Sequence, residues 1–342
     1  MRVFITGGAG FIGCNLTQDR LRRGDSITIF DNLSRPRTQH NLAWLREQAG
    51  AEQLQFVHGD VRSFDALRDA VAAARPDLIV HLAAQVAVTT SVRNPREDFE
   101  INALGTLNVL EAARAQDAPP AVFYASTNKV YGGMEDVAVV GGDTRYAYRD
   151  FPDGIDESRP LDFHSPYGCS KGAGDQYVHD YARIYGMRTV VFRQSTIYGP
   201  RQFGVEDQGW LAHFVIATVA GRPITIYGDG KQVRDMLHVR DLVGAYDAAW
   251  TSLDVAAGQV FNVGGGSANT ISIWAETGPR LERLAGHAIP VTYAEWRPGD
   301  QPVFISDNAK AQRILGWRPR ITLDEGMPEM WNWVVQNRAF FA

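Results

Sequence analysis

Short apolar runs alternate with amphipathic stretches through the first half of the chain. Arg2–Thr6, Ser26–Asp31, Leu54–His58, Leu78–His81, Ala121–Ser126 and Thr189–Phe192 read as strands, each bounded by polar or glycine-rich turns. Between them a 3.6-residue period predicts helices, notably over Phe11–Arg23, Phe64–Ala74, Pro95–Gln116 and Pro166–Tyr185. Such alternation predicts an α/β fold with a doubly wound parallel sheet, because right-handed crossovers place helices on both faces. Ligands of such sheets bind in a crevice outside the carboxyl ends of the strands. Gly133–Pro160, rich in Gly, Asp, Arg and Tyr and without a period, reads as a surface insertion. After about Tyr198 the pattern loosens. Short segments such as Ile224–Tyr227 and Val260–Val263 mix with helices near Val239–Ser252, Ile271–Leu284 and Leu323–Val335. The expected organisation is a nucleotide-binding domain over residues 1–198, carrying the reactive groups. Residues 199–342 form a smaller α/β lobe, mainly for substrate, across a soft boundary that the chain can recross to rejoin the main sheet.

Composition narrows the classes. Of 342 residues, 45% are hydrophobic and 21% charged, the balance of an ordinary folded chain. A net charge of −5 without a lysine/arginine block gives no reason to expect nucleic acid. Cys14 and Cys169 make neither a disulfide framework nor a metal cluster, so both are expected as small buried hydrophobes in a reducing compartment, and no metal is expected. The chain opens directly on a strand and holds no apolar run long enough to span a bilayer, so no membrane partner and a cytoplasmic location are expected.

The first candidate chemistry is Gly7-Gly8-Ala9-Gly10-Phe11-Ile12-Gly13, directly after a strand and opening a helix. Glycines at Gly7, Gly10 and Gly13 permit a tight turn, close approach of backbone to a pyrophosphate and close helix–sheet packing. The helix amino terminus, at Phe11 and Ile12, offers N–H donors to phosphate oxygens. In this strand–turn–helix context the motif predicts a Rossmann-type dinucleotide site. Asp31 ends the second strand, 18 residues after Gly13, where a carboxylate accepts from the ribose hydroxyls and repels a 2′-phosphate; NAD is therefore the expected cofactor. Asn32, Ser34 and Arg35 follow it on the same loop as further cofactor contacts; a guanidinium there, Arg35 or Arg37, could accommodate a 2′-phosphate, while Arg37 reads equally as a solvated charge. Asp60 and Val61 follow the third strand, where side chain and backbone can meet adenine. The fourth strand ends in His81-Leu82-Ala83-Ala84-Gln85, small residues that give the cofactor backbone close access.

Tyr167-Gly-Cys-Ser-Lys171 supplies the second. On a helix, residues four apart share a face, so the phenol and the ammonium can address one small volume. The cation is expected to lower the Tyr167 pKa and make the phenol a general base for a sugar or alcohol hydroxyl. A Thr127 hydroxyl, ending the fifth strand in Ala125-Ser126-Thr127-Asn128-Lys129-Val130-Tyr131-Gly132, can hydrogen-bond the reacting hydroxyl and relay its proton.

Together with Asn102 in Asn102-Ala-Leu-Gly-Thr106, this layout resembles the extended short-chain dehydrogenase/reductases over essentially the whole chain. The resemblance implies Thr127, Tyr167 and Lys171 as the catalytic set, with Asn102 supporting the lysine and Asn102, Ser126, Tyr167 and Lys171 among the cofactor contacts. Sugar-nucleotide 4,6-dehydratases of this superfamily carry Asp-Glu after the threonine. Asn128-Lys129 cannot supply that acid–base pair, which moves the expectation to an epimerase. Asp162-Phe-His-Ser-Pro-Tyr-Gly-Cys-Ser-Lys-Gly172 and Tyr198-Gly-Pro-Arg-Gln-Phe…Asp207-Gln-Gly-Trp210 resemble the CDP-paratose 2-epimerases. That resemblance implies C2 epimerisation of a CDP-deoxyhexose through a 2-keto sugar, a product used in lipopolysaccharide O-antigen, and a homodimer formed by the helices of Asn102 and Tyr167. It also implies Arg234 and Arg297 as diphosphate ligands, with Asp300, Asn128, Thr196, Arg201 and Gln208 as further substrate contacts. Gln202 and Trp210 are weaker candidates, His238 is expected to be structural, and Trp317, Trp331 and Trp333 to be core. A 4-epimerase of a UDP- or GDP-sugar stays open, since the same catalytic set serves either carbon. A dinucleotide-sensing module without catalysis is the third reading.

Overall fold

The computed structural model describes residues 1–50, 52–297 and 300–341. Its main sheet has seven strands: β1 (Arg2–Thr6), β2 (Ser26–Asp31), β3 (Leu54–His58), β4 (Leu78–His81), β5 (Ala121–Thr127), β6 (Thr189–Gln194) and β7 (Gln259–Val263). Their order is β7-β6-β5-β4-β1-β2-β3. The β1/β2, β1/β4, β2/β3 and β4/β5 pairs are parallel, with Ile5 opposite both Ile29 and Val80. β4 and β6 are buried along their whole length, which requires helices on both faces and accounts for their unbroken apolar sequence. Strand order reverses between β1 and β4, so Gly7 and Leu82 leave the sheet side by side at its switch point. The Rossmann-type sheet is as expected.

The chain divides into two compact units. One comprises Met1–Val130, Ser165–Arg193 and Val243–Phe261; the other comprises Tyr131–His164, Gln194–Leu242 and Asn262–Ala342. The first buries Phe4, Phe30, Ile79, Val122, Tyr124 and Val191. In the second, strand Val233–His238 pairs with Thr196–Tyr198, Thr270–Ser272 and Val303–Phe304. Helices Trp210–Val219 and Leu323–Gln336 pack over its core, the latter opened by a Thr322/Glu325 capping box. Trp210, Trp331 and Trp333 pack at the rim of this core, and Trp317 is buried with its indole N–H donated to the Asp241 carbonyl at 2.9 Å.

Four local expectations are corrected. The Ile271–Leu284 helix begins only at Thr277, because Thr270 and Ile271 are β-branched and pair with Asp235 and Arg234. Pro95–Gln116 is three pieces: helix Pro95–Phe99, a π-helical turn Glu100–Leu104, and helix Gly105–Arg114. The Gly133–Pro160 stretch is no surface insertion. Strands Val139–Gly141 and Tyr146–Tyr148 pair within it, Tyr148 and Ile155 are buried, and the Tyr148 hydroxyl donates to the Val303 carbonyl at 2.9 Å. Its few apolar anchors are too widely spaced to show a period. Cys14 is buried as expected, but Cys169 is exposed on the outer side of its helix. Among the described residues, no helix is long and apolar enough to cross a membrane.

Candidate active site

The glycine turn is shaped by what a side chain would hit. Gly7 has φ of +71°, and a Cβ there would lie 2.7 Å from the Ala83 backbone nitrogen; Gly13 packs in the same way against Gly7 and Gly8. Helix Phe11–Arg22 has Gly10 as its N-cap with no side-chain cap, and its first ladder bond is Cys14 N–H to the Gly10 carbonyl at 2.9 Å. Helix geometry therefore leaves the N–H groups of Phe11, Ile12 and Gly13 directed out of the helix end, where an anion is favoured. The Asp31 carboxylate accepts from Ala9 N–H at 3.0 Å and Leu33 N–H at 2.8 Å. Burial raises its pKa against those two bonds, and a ribose diol would meet its remaining lone pairs. Bare backbone, free helix N–H groups and a half-buried carboxylate in this order fit NAD.

The other residues expected at the cofactor are distributed as follows. Asp60 is clamped by the Arg62 guanidinium at 2.9 and 2.7 Å and by Asn32 at 2.9 Å, which pulls its carboxyl down to about 2. Ser34 is exposed, with its N–H on the Asn32 side-chain oxygen at 3.0 Å; burial lowers the pKa of Arg35. Val61 is buried under Gly105. Leu82 and Ala83 each donate N–H to the Thr6 hydroxyl at 3.2 Å, and Ala84 leads on to Gln85. Thr6 also bonds His81, which burial holds neutral with its pKa down to about 3.

At the end of β5 the reactive groups converge. The Lys171 ammonium donates to the Ala125 carbonyl at 2.5 Å and lies 4.3 Å from the centre of the Tyr124 ring. The Tyr167 hydroxyl is hydrogen-bonded to Thr127, whose own hydroxyl lies 3.3 Å from the Asn128 side-chain oxygen. Tyr167 is anchored through its N–H to the Ser91 hydroxyl at 3.1 Å. Ser126 turns away to donate to Asp175 at 2.6 Å, and Asp175 also takes a bidentate pair from Arg193 at 3.0 and 2.9 Å.

Electrostatics correct one expectation. Burial pushes the Tyr167 phenol up to about 12, not down, and the charge of Asp98 adds to that; only the Thr127 hydrogen bond opposes it. Lys171 carries the useful shift instead: burial brings it down to about 7, against the pull of Asp175 and Asp98. Shared helical spacing put the two side chains on one face, but the lysine's nearest acceptor is the Ala125 carbonyl. Asn102 is also differently engaged from the expected support of Lys171. Its side chain exchanges hydrogen bonds with the Gln85 backbone at 2.9 Å each way and donates to Asp98 and Ser170 at 3.1 Å. Asp98, Asp175, Ser170 and Ser91 are the participants that sequence reasoning missed. Carboxylates and hydroxyls in a helical pattern read as a solvated face, and only burial marks these out.

In the second unit, Arg234 and Asp300 are brought together, the guanidinium donating to the carboxylate at 2.5 Å and to the Val233 carbonyl at 2.7 Å. Arg297 stacks 4.0 Å over the Tyr227 ring and donates to the Glu206 carbonyl at 3.1 Å, with Asp207 at 3.5 Å. Pro298 and Gly299 of the Arg297–Asp300 motif lie outside the described residues. Thr196 sits on a strand opposite Met236, Gln208 exchanges backbone bonds with Val205, and Arg201 holds a positive φ of 68°. Gln202 donates to the Ile197 carbonyl at 3.2 Å. His238 is fully buried and neutral, pushed down to about 3, and receives the Arg240 N–H.

A dinucleotide turn, a carboxylate ending β2 and a threonine–tyrosine–lysine group in one compact unit define a Rossmann-fold enzyme of the short-chain dehydrogenase type. Residues 4–330 match the family model described as GDP-mannose 4,6 dehydratase. The chain is 44% identical to CDP-paratose 2-epimerase of Salmonella typhi, over 97% of this chain and 99% of that protein. It resembles the solved UDP-glucose 4-epimerase of Thermus thermophilus in complex with NAD (TM-score 0.81, 32% identity, 97% and 98% of the two chains). It also resembles UDP-glucuronic acid 4-epimerase of Bacillus cereus in complex with UDP-glucuronic acid and NAD (TM-score 0.84, 26% identity, 98% and 99%). The chain belongs to the extended short-chain dehydrogenase/reductase family, whose members are NAD-dependent nucleotide-sugar epimerases and dehydratases.

Proposed function

We propose that this enzyme epimerises C2 of a CDP-deoxyhexose, converting CDP-paratose to CDP-tyvelose in the cytoplasm. The observation that carries the reading is the 44% identity to a CDP-paratose 2-epimerase along nearly the whole of both chains, with Thr127, Tyr167 and Lys171 in one buried group. Asn128-Lys129, in place of a carboxylate pair, supports epimerisation over dehydration. Bound NAD supplies a reversible hydride acceptor and a positive charge, so that the reaction has no net redox change. Tyr167 takes the proton of the C2 hydroxyl at its phenolic oxygen, and Thr127 holds that hydroxyl and the phenol in one line. Lys171 contributes the chain's own positive charge, which with that of the cofactor favours loss of the phenolic proton, so that Tyr167 is a phenolate when it takes the C2 hydroxyl proton. Arg234 and Arg297 hold the diphosphate through planar guanidiniums while the 2-keto sugar turns about its phosphate linkage.

Substrate choice separates the readings. Incubation with CDP-, UDP- and GDP-sugars without added NAD, followed by separation of C2 and C4 epimers, should give C2 exchange with CDP-paratose. In D₂O the product should carry no deuterium at C2. Exchange confined to UDP- or GDP-hexoses at C4 overturns the substrate assignment, and deuterium at C2 overturns hydride return in favour of enolisation. We further propose a homodimer. Phe99, Leu104, Tyr177, Ile184 and Tyr185 are exposed on the helical segments that carry Asn102 and Tyr167, and Val92 on the short helix Val88–Arg93 before them, apolar surface that a second copy would cover. A monomer mass in sedimentation at micromolar concentration contradicts this.

A further inference from the structure

Asp98 is fully buried, yet the hydrogen bonds it receives all come from neutral groups. Gln85 Nε2 donates to its Oδ1 at 2.8 Å, Asn102 Nδ2 to the same oxygen at 3.1 Å, and the Ser170 hydroxyl to Oδ2. A buried carboxylate without a cationic partner is costly, so its place calls for a reason. Its three donors come from three different pieces of the site: the loop after β4, the π-helical turn Glu100–Leu104, and the helix of Tyr167 and Lys171. An isolated π-helical turn widens the helix by one residue, which lets Asn102 and Asp98 address Ser170 together.

We propose that Asp98 is a positioning residue for the reaction, tying the Gln85 loop to the catalytic helix through Ser170 and supplying the uncompensated negative charge that faces Lys171. The other carboxylate near Lys171, Asp175, is already matched by the bidentate Arg193 and by Ser126. The Tyr124 ring and neutral His81 also lie near the ammonium. The charge of Asp98 therefore acts beside that of Asp175 against burial at Lys171. It favours the ammonium and at the same time disfavours an early phenolate at Tyr167. Both effects keep the proton inventory fixed until substrate and cofactor are in place. This inference rests on the proposed roles of Tyr167 and Lys171.

Asp98→Asn keeps the size of the side chain. Its oxygen still accepts from Gln85 and Asn102, and Ser170 can turn to accept from the new amide while donating to the Tyr167 carbonyl, 3.2 Å away. The chain has four lysines, so an ¹⁵N-lysine NMR titration resolves Lys171 by its loss in Lys171→Met. In Asp98→Asn the Lys171 midpoint should fall by about one pH unit, which leaves about tenfold less ammonium at any pH well above it. Turnover at pH 8.5 should drop about tenfold relative to the parent, and the two should agree within about twofold at pH 6. An unchanged Lys171 midpoint overturns the inference. Active Tyr167→Phe together with a shifted Lys171 midpoint retains the electrostatic role and rejects the catalytic reading on which it was built. Asp98→Glu should restore the midpoint, and a failure to do so with the fold intact counts against charge as the cause.

Discussion

Replacing Tyr167 with phenylalanine should lower turnover by about 10²–10⁴-fold, the usual weight of a positioned general base, while leaving NAD bound. The substitution removes one oxygen from a buried ring whose position is fixed elsewhere, by its N–H on Ser91 and by the helix that begins at Ser165. The fold should therefore survive, and Thr127 loses the partner that lines it up with substrate. The readouts are epimer formed per enzyme and NAD released on denaturation. Retained turnover would remove Tyr167 from the chemistry. Because burial holds the phenol near 12 in the free protein, the parent enzyme's dependence on pH should not reflect a simple tyrosine titration near neutrality.

Replacing Lys171 with methionine should cost on the order of 10²–10³-fold in turnover, the loss seen when one preorganised electrostatic donor is removed. It should also change how stability follows pH. Lys171 falls to about 7 in the folded protein and is near its ordinary value of ~10.4 when unfolded, so between those values the unfolded chain binds more protons. The cost of burying the ammonium is therefore fully present below about pH 7, and the parent gains stability relative to Lys171→Met as pH rises toward 10. Thermal melts of both proteins from pH 6 to 10 test this: the gap in Tm should move in favour of the parent with rising pH. A gap independent of pH would mean that Lys171 is not desolvated as described.

Much of the sheet was legible because its strands are continuous apolar runs that no amphipathic helix would show. β1 through β6 stand where Arg2–Thr6 to Thr189–Phe192 were expected, within two residues at either end. β7 was visible as a segment, Val260–Val263, but a short apolar run says nothing of its neighbour, and its place beside β6 follows only from the folded chain. The glycine turn was readable because steric exclusion is written into residue type: only glycine tolerates the approach of Gly7 to Ala83. The electrostatics were not. Tyr167 and Lys171 show their spacing in sequence, whereas the Ala125 carbonyl that takes the ammonium and the buried Asp98 come from other elements, and Asp175, though on the same helix, shows its burial only in the folded chain. Arg297 likewise could be placed near a phosphate by motif, but its stacking on Tyr227 could not.

The return of residues 243–261 to the first unit bears on how such enzymes diversify. A gene recombined at a single point after residue 198 would bring in a foreign β7 to close β6, a strand with no side chain exposed to water. A mismatched strand there would leave an apolar edge open to pairing with other molecules, the route by which sheets aggregate. Exchange of both stretches that flank residues 243–261 between relatives therefore needs three breakpoints, near residues 198, 242 and 261, and chimaeras made by a single crossover after residue 198 should fail by misfolding before their specificity is ever tried.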